Sequence, residues 1–410
     1  MSKIRIKNFG PIKEGLIEND GWIDIKKVTV FIGNQDSGKS TVAKVISTLT
    51  WIEKAINRGD ISIKTIIRKE FFKKYFEYQG IKDYFKDSTE IEYVGSRIGI
   101  NFNNKLEQTE IIVNEKNKYC VPKIMYVPSE RNLLYVIEKA YDIKNLPGSL
   151  FSFAEELKKG QNKFEDKEIK LPFGNLKYKY DSDKDDSILI GDDFEVNLLH
   201  ASSGFQSLVP LYIVSKYITE ELQEGKEILQ KQLSVSQSIR RNEELATITL
   251  NENLSDNEKN ELAKTINSKY IVTCFINIVE EPEQNLFPSS QHIMLNNLLE
   301  LNSRKVENKL IMSTHSPYLI NYLTLAVEAN RLKDKVKTKE LKDRLEKIVP
   351  LKSTIPSDDL VIYQLDETDG TIKLLGNYKG LPSDENYLNN NLADSNDLFS
   401  QLLDIEDLCQ

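Results

Sequence analysis

Apolar and polar positions along the chain follow two different periods, and together they predict an α/β architecture. Alternation with a period of two over residues 1–32, and again over 89–127, indicates short strands. Three nearly continuous apolar runs, Val28–Ile32, Tyr270–Glu280 and Lys309–Thr314, are typical of strands that are buried on both faces. Helical spacing directly after the first run is shown by Val42, Val45, Ile46, Leu49 and Ile56.

The same patterns divide the chain into segments. Residues 205–268 are mainly helical but lack a sustained heptad, which predicts a short helical arm and not a long coiled coil. Asp369-Gly370 predicts a hairpin turn within the last αβ portion. We expect an amino-terminal lobe over residues 1–52, a basic and aromatic helical insertion over 53–88, a β-rich lobe over 89–204, a helix and the arm over 205–268, a carboxy-terminal lobe over 269–376 and an acidic tail over 377–410.

Composition places the chain among ordinary globular proteins. Its 410 residues are 40% hydrophobic and 29% charged, and no apolar stretch approaches the ~20 residues of a membrane helix. The first residues alternate like a strand and do not resemble a signal peptide, so a cytoplasmic location without membrane contact is predicted. Three cysteines that lie far apart in sequence argue against a disulfide framework or a zinc cluster.

The net charge of −8 is unevenly distributed. Residues 54–86 carry nine bases against four acids, whereas residues 381–410 carry seven acids and no base. Distinct interaction surfaces would explain this asymmetry, and so would two solvated charged faces.

A phosphate-binding loop follows the first apolar run. Residues 33–41 fit the pattern G-x-x-x-x-G-K-[ST] between a strand and a helix, where backbone N–H groups and the helix dipole point at anions. Lys39 is expected to neutralise the outer phosphates of ATP, and the Ser40 hydroxyl to hold Mg²⁺. The residues assigned to phosphate binding are Gly33, Asn34, Gln35, Asp36, Ser37, Gly38, Lys39, Ser40 and Thr41.

Two acids and a histidine stand at the ends of the other apolar runs. Phosphoanhydride hydrolysis needs one carboxylate near the metal and another that orients or deprotonates water, so we assign Glu280 to Mg²⁺ and Glu281 to the attacking water. His315 follows the third run, where several strand ends meet, and is assigned a contact with the γ-phosphate. The alternative interpretation of the acid pair is a strand followed by a charged turn. The alternative for the histidine is a structural role.

A second anion-binding arrangement precedes the predicted helix Ser207–Ile218. Ser202, Ser203 and Gly204 offer small residues and hydroxyl groups at a helix start, although no lysine accompanies them. Any capped helix offers similar groups at its start, so these residues predict a phosphate contact only in combination with the other motifs.

These four motifs, in this order, resemble the Walker A, signature, Walker B and switch-histidine motifs of ABC-type ATPases. More narrowly, residues 3–10, 280–288 and 313–320 resemble the SMC/RecF-like branch, including OLD-family ATPases and the ATPase subunits of bacterial antiphage systems. The resemblance implies an ATPase head with a mixed central sheet, flanking helices, an N-terminal antiparallel β-subdomain and helical insertions. It also implies a head-to-tail homo-oligomer, at least a dimer and with a hexamer as the larger alternative, in which Ser202 and Gly204 of one copy close over the γ-phosphate held by Lys39 of another.

The chain departs from the ABC pattern at two motifs. Glu280 replaces the more common aspartate, and Ala201-Ser202-Ser203-Gly204 replaces Leu-Ser-Gly-Gly, although a carboxylate and a hydroxyl remain. Slow turnover would be consistent with both changes. Arg131, in a segment similar to a strand-end motif of defence ATPases, is equally compatible with a phosphate contact, a subunit contact and a structural ion pair.

No second chemistry is recognisable in the sequence. Asp181-Ser182-Asp183 lies within an acidic turn and fits neither a Toprim nor a calcium pattern, and three histidines make an HNH nuclease improbable. The organisation resembles the ATPase subunit of PARIS-type systems, and secondarily that of Septu-type systems, which implies a separate Toprim or HNH effector and a phage protein or DNA as trigger. The alternatives are a RecF/SMC-like ATPase that clamps duplex DNA through residues 54–86, and a nucleotide-locked scaffold with negligible turnover.

Overall fold

The computed structural model describes residues 2–114, 119–137, 143, 145–224 and 233–408. The strands are β1 (Ser2–Phe9), β2 (Gly15–Leu16), β3 (Ile23–Ile25), β4 (Val28–Gly33), β5 (Phe85–Val94), β6 (Ile98–Asn103), β7 (Gln108–Val113), β8 (Pro122–Val127), β9 (Ile169–Lys170), β10 (Lys177–Asp181), β11 (Asp186–Ile190), β12 (Glu195–Asn197), β13 (Cys274–Glu280), β14 (Lys309–Thr314), β15 (Leu360–Leu365), β16 (Thr371–Leu374), β17 (Asn377–Tyr378) and β18 (Leu381–Pro382). The helices are α1 (Lys39–Arg58), α2 (Ile63–Ile66), α3 (Lys69–Lys74), α4 (Gly148–Lys163), α5 (Ser203–Glu224), α6 (Val235–Thr249), α7 (Asp256–Ser268), α8 (Pro288–Ser303), α9 (Pro317–Leu332), α10 (Lys339–Ile348) and α11 (Tyr387–Leu408).

A seven-stranded mixed sheet forms the centre of the molecule, in the order β2-β16-β15-β4-β14-β13-β8. Strands β15, β4, β14, β13 and β8 run parallel, and β16 pairs antiparallel with β15. All six residues of β4 are buried, because alternate side chains enter the two cores on opposite faces of the sheet. Val28, Val30 and Ile32 belong to one core, and Phe31 packs in the other with α1. This architecture confirms the predicted fold class.

Two larger antiparallel sheets and the short antiparallel pair β17-β18 accompany the central one. The five-stranded sheet β3-β1-β5-β6-β7 includes the amino-terminal strand, as the alternating pattern predicted. The four-stranded sheet β12-β11-β10-β9 contains the acidic turn, since Asp181 pairs with Asp186 at the end of the β10–β11 hairpin. The predicted hairpin between β15 and β16 is also confirmed.

The basic and aromatic segment packs some of its aromatic side chains into the fold, although Phe71, Tyr78 and Tyr84 are exposed. Phe72 and Phe76 are fully buried, and their rings contact those of Phe9, Phe85 and Phe102. The alternation of aromatic and basic residues is therefore that of an amphipathic segment packed on the core.

The arm consists of α6 and α7, and it contacts the end of the phosphate-loop helix. Gln237 and Arg240 of α6 both bond Asp60, which also pairs with Arg58 in the last turn of α1. Capping boxes at Ser234 and Ser255 begin the two arm helices.

Two predicted boundaries are wrong. Strand β13 begins at Cys274 and not at Tyr270, because Tyr270 donates its N–H to Asn267 in the turn that ends α7. Helix α5 begins at Ser203 and not at Ser207, because Gln206 already donates to the Ser202 carbonyl oxygen. Among the described residues, no helix is long and apolar enough to cross a membrane.

Candidate active site

The phosphate loop connects β4 to α1, and two glycines allow its close contacts. Gly33 pairs with Leu365 of β15, and a Cβ on Gly33 would lie 2.3 Å from the Leu365 carbonyl oxygen. Gly38 has a φ of 95°, and its Cβ would lie 2.6 Å from Cδ1 of Ile12. A side chain at either position would collide with the fold, so the loop is a tightly curled cradle at the amino-terminal end of α1.

Lys39 lies inside this cradle. Its ammonium donates to the carbonyl oxygens of Gly33, at 3.1 Å, and Asn34, at 2.6 Å, and lies 3.4 Å from Ser37 Oγ. The residue is only 5% exposed, and burial lowers the pKa of its ammonium to about 8, although Glu281, Glu283, Glu367 and Asp36 counteract this effect. A positive charge held in place without a salt bridge in the described chain is suited to an incoming anion.

Asn34 ties the loop to the β15–β16 hairpin. Its side-chain amide donates to Glu367 Oε1 at 3.0 Å. Gln35 and Asp36 are exposed, with Asp36 in a left-handed conformation, whereas Ser37 and Thr41 are buried and Ser40 is half-buried. The exposed part of the loop therefore consists of residues 34–36, and the residues at the start of α1 are buried or half-buried.

Glu280 ends β13 and is buried. Its Oε1 atom accepts a hydrogen bond from the Tyr126 hydroxyl, and its Oε2 atom accepts from the Ser129 N–H at 3.3 Å and the Ser129 hydroxyl at 3.4 Å. Tyr126 is brought there because β8 and β13 are parallel neighbours in register. All three donors are neutral, which leaves the carboxylate able to ligate a cation.

The donor set fits magnesium. Mg²⁺ is usually held by one or two carboxylates together with phosphate oxygens, and Glu280 and the Ser40 hydroxyl are hard oxygen donors of that kind. No group of three or more His, Cys, Asp or Glu suited to a metal occurs in the described residues, so the phosphates would have to complete the coordination.

Glu281 and His315 face each other across the ends of β13 and β14. His315 Nε2 lies 3.5 Å from Glu281 Oε1, and both side chains are about one-third exposed, at 32% and 39%. This contact with His315 lowers the pKa of the Glu281 carboxyl, and the charges of Arg131 and Lys39 add to the effect. Glu281 has a φ of 42° and donates its N–H to the Ser313 carbonyl oxygen, a strained conformation of a kind that clusters at functional sites.

Glu283 belongs to the same cluster, although the sequence analysis gave it no role. Its Oε1 atom accepts from the Thr314 hydroxyl and from the His315 N–H, each at 2.7 Å. The Oε2 atom is buried and has no hydrogen-bond partner in the described chain, and burial raises the pKa of the carboxyl. The sequence signal that could have identified Glu283 is its position as the third acid of Glu280-Glu281-Pro282-Glu283, directly after the strand.

Arg131 holds main-chain atoms together and makes no ion pair with a described residue. The guanidinium is fully buried and donates to four carbonyl oxygens, and burial lowers its pKa to about 10. The acceptors are Pro128 (3.1 Å), Ser207 (3.0 Å), Glu280 (2.8 Å) and Glu281 (2.7 Å). The ion pair considered as one alternative for Arg131 is therefore wrong within the described chain, because its partners are backbone carbonyl oxygens.

The predicted signature residues lie at the start of α5. Ser202 and Ser203 are exposed, and within the described chain no hydrogen bond joins them to the phosphate loop. A Cβ on Gly204 would lie 2.9 Å from the Asn285 carbonyl oxygen, so glycine allows α5 to approach the segment after β13. The structure thus groups Lys39 with Glu281, Glu283 and His315, and leaves the two serines facing outward.

Comparisons with known proteins find only distant structural likenesses. No family model and no curated protein matches the chain. The chain is similar to the solved SMC head domain from Thermotoga maritima, with 10% identity, a TM-score of 0.36, and coverage of 92% of this chain and 98% of that one. It is also similar to an SMC head bound to the C-winged helix domain of ScpA (11% identity, 91% and 95% covered, TM-score 0.37) and to the dimeric ATP-binding cassette MJ0796 bound to ADP and Pi (12% identity, 92% and 100% covered, TM-score 0.28).

Proposed function

We propose that the chain binds and hydrolyses ATP. The observation that supports this most directly is the grouping of a buried lysine in a glycine cradle with Glu281 and His315 at the ends of neighbouring parallel strands. The cradle would bind the phosphates through its N–H groups, and the Lys39 ammonium would exchange its carbonyl contacts for phosphate oxygens.

The acid and the histidine divide the remaining work. Glu281 has a lowered pKa and is ionised at neutral pH, so it can orient a water molecule and accept its proton. His315 would donate to the γ-phosphate from the same strand end. Ser40 and Glu280 would hold Mg²⁺, which supplies charge neutralisation for the phosphates.

Three variants test the hydrolysis proposal. Lys39→Ala should abolish binding of a fluorescent ATP analogue, because the buried cation is lost. Glu281→Gln should keep binding but lower the rate of phosphate release by about 10²–10⁴-fold, the usual contribution of a general base. Glu340→Gln, an exposed acid on α10, serves as the matched control. Wild-type hydrolysis by Glu281→Gln would remove Glu281 from its role, and unchanged binding by Lys39→Ala would remove the site.

We further propose that the ATP site is completed by a second copy of the chain. Ser202 and Ser203 are exposed at the start of a 22-residue helix, and within the described residues they make no hydrogen bond with the phosphate loop of their own chain. Head-to-tail packing of two copies would place these groups and the dipole of α5 on the γ-phosphate. In Glu281→Gln, where ATP persists, this assembly should accumulate as a dimer or larger ring in light scattering.

Mixing two inactive variants distinguishes a shared site from an internal one. Lys39→Ala retains an intact Ser202 surface, and Ser202→Tyr retains an intact phosphate loop. If the site is shared, a 1:1 mixture restores one competent site per mixed dimer, about a quarter of the wild-type activity for random pairing. No recovery, despite dimer formation, would show that each chain completes its own site.

The output we propose is the control of a separate toxic nuclease, of Toprim or HNH class, in antiphage defence. Two features support a docking role for the carboxy-terminal part of the chain: its acidic charge, and the exposed apolar side chains of α11, among them Leu398, Phe399 and Leu402. Such an acidic and apolar helix fits a basic groove on a partner.

Co-expression with the protein encoded by the neighbouring gene tests this output. A Toprim or HNH protein there should co-purify with the full chain and not with residues 1–380, and the full chain should suppress its toxicity until phage infection. Replication or repair genes at that position, together with salt-sensitive DNA binding by the chain, would contradict the defence role.

A further inference from the structure

A cavity of about 640 Å³ lies beside the active site, between α1, the α3 segment, the edge strand β8 and α4. It falls within the size range of small-molecule pockets, which are mostly apolar with a few converging polar groups. None of the residues assigned to phosphate binding lines it.

The walls of the cavity are aromatic and apolar. The rings of Trp51 and Tyr75 lie 5.6 Å apart and are tilted by 42°, and Met125 of β8 also lines the cavity. Flat ring faces of this kind suit a planar apolar body.

Two polar side chains in the cavity have unused hydrogen-bonding capacity. Lys54 is only 9% exposed, and its ammonium makes no hydrogen bond or ion pair in the described chain. Gln79 is 5% exposed, and while its amide nitrogen donates to Ser47, its Oε1 atom is buried without a partner. Of the two, the Lys54 ammonium carries the argument, because an unpaired cation at the wall of a cavity is suited to an anionic ligand.

Burial lowers the pKa of Lys54 to about 7, and the like charges of Arg58 and Lys123 act in the same direction. Cys274 and Asp60 counteract this effect, and Lys74, Glu155 and Glu156 are the other charged groups of the cavity. Glu156 is already paired with Lys123 and Lys159, so it does not neutralise Lys54. An anion is therefore the complement that Lys54 lacks.

We propose that this cavity binds a small organic anion with a flat apolar body, whose carboxylate, sulfonate or phosphate group pairs with Lys54. One consequence concerns the active site. Tyr126 lines the cavity and donates its hydroxyl to Glu280, so the ligand would touch the residue that positions the metal-binding carboxylate.

The probe for this site is 8-anilinonaphthalene-1-sulfonate, a flat aromatic monoanion. Only two tryptophans occur in the chain, so a Trp22→Phe background leaves Trp51, in the cavity wall, as the single reporter. We expect saturable quenching of Trp51, weakened at least about tenfold by Lys54→Met, since a tenfold loss corresponds to one modest charged contact. Lys74→Met, an exposed lysine at the same cavity, should change the affinity by less than about twofold.

The pH dependence gives a second, independent measurement. The sulfonate stays ionised, so the affinity should be full below pH 7 and fall about tenfold or more toward pH 9 as the free Lys54 ammonium deprotonates. Lys54→Met should show no such fall, and it should fold at least as stably because it removes a buried charge. Absence of saturable quenching, equal affinity in Lys54→Met, or a flat profile in the wild type would overturn the proposal. None of these outcomes depends on ATP hydrolysis, so the test is separate from that of the proposed function.

Discussion

Replacing Arg131 by methionine should destabilise the fold without directly removing a phosphate ligand. The guanidinium is fully buried, and its four acceptors are the carbonyl oxygens of Pro128, Ser207, Glu280 and Glu281. Methionine fills much of the same volume but donates nothing. The substitution would remove these four hydrogen bonds, at the junction of β13, the segment after β8 and α5.

The expected loss follows from two opposing terms. A hydrogen bond from a charged donor contributes about 1.5–3 kcal/mol, and Arg131 makes four of them. Against this stands the cost of burying the guanidinium, about 3 kcal/mol, from a pKa lowered from 12.5 to about 10. The difference is about 3–9 kcal/mol, and we expect a net loss near its lower end, about 3–5 kcal/mol, as when one partner is removed from a buried charged network.

Urea unfolding followed by far-UV circular dichroism measures this loss. The matched control is Arg5→Met, because Arg5 makes a partly exposed ion pair with Glu92 and should lose no more than about 1 kcal/mol. Binding of a fluorescent ATP analogue, measured under conditions where the variant is folded, should remain. A stable Arg131→Met variant that has lost ATP binding would refute this structural role and identify Arg131 as a phosphate ligand.

Two further predictions concern titratable groups of the site. Burial lowers the pKa of Lys39 to about 8, so ATP affinity should be full below pH 8 and fall by up to about tenfold per pH unit above it, whereas Lys39→Arg should give a flat profile in the same fluorescence titration. Identical profiles for the two proteins would show that another group controls binding. Burial raises the pKa of Glu283, so its protonated form stabilises the fold below the ordinary value of 4.5, and this contribution is lost as the pH rises through the raised pKa. Glu283→Gln should remove this part of the pH dependence of urea unfolding, whereas the exposed control Glu340→Gln should retain it, and parallel curves for wild type and Glu283→Gln would contradict the assignment.

The main elements of the fold could be predicted because their signals are local. A run such as Val28–Ile32 has no charged position and one hydroxyl, at Thr29, so it favours a strand buried on both faces, and the glycines after it favour a phosphate-binding loop. The end of β13 could likewise be located, since the apolar run stops at Glu280. The beginning of β13 could not be located, because Tyr270–Thr273 are apolar enough for a strand but form the turn and connection that follow α7.

The interior of the site depends on register between strands that are distant in sequence. Tyr126 meets Glu280 only because β8 and β13 lie side by side with Val127 opposite Val279, and nothing in either segment specifies that neighbour. The same holds for Arg131, whose partners are carbonyl oxygens and therefore leave no trace in side-chain identity. Local patterns thus predict which residues carry the chemistry, whereas the contacts that tune them require the folded chain.

The contact between the arm and Asp60 means that α1 connects the arm to the phosphate loop. A 20-residue helix is about 30 Å long, and this one has the phosphate loop at its first turn and the arm at its last. A packed helix of this length transmits force along its axis better than a loop would. A force on the arm would therefore be borne, through Asp60, by the same helix whose first turn begins at the phosphate loop.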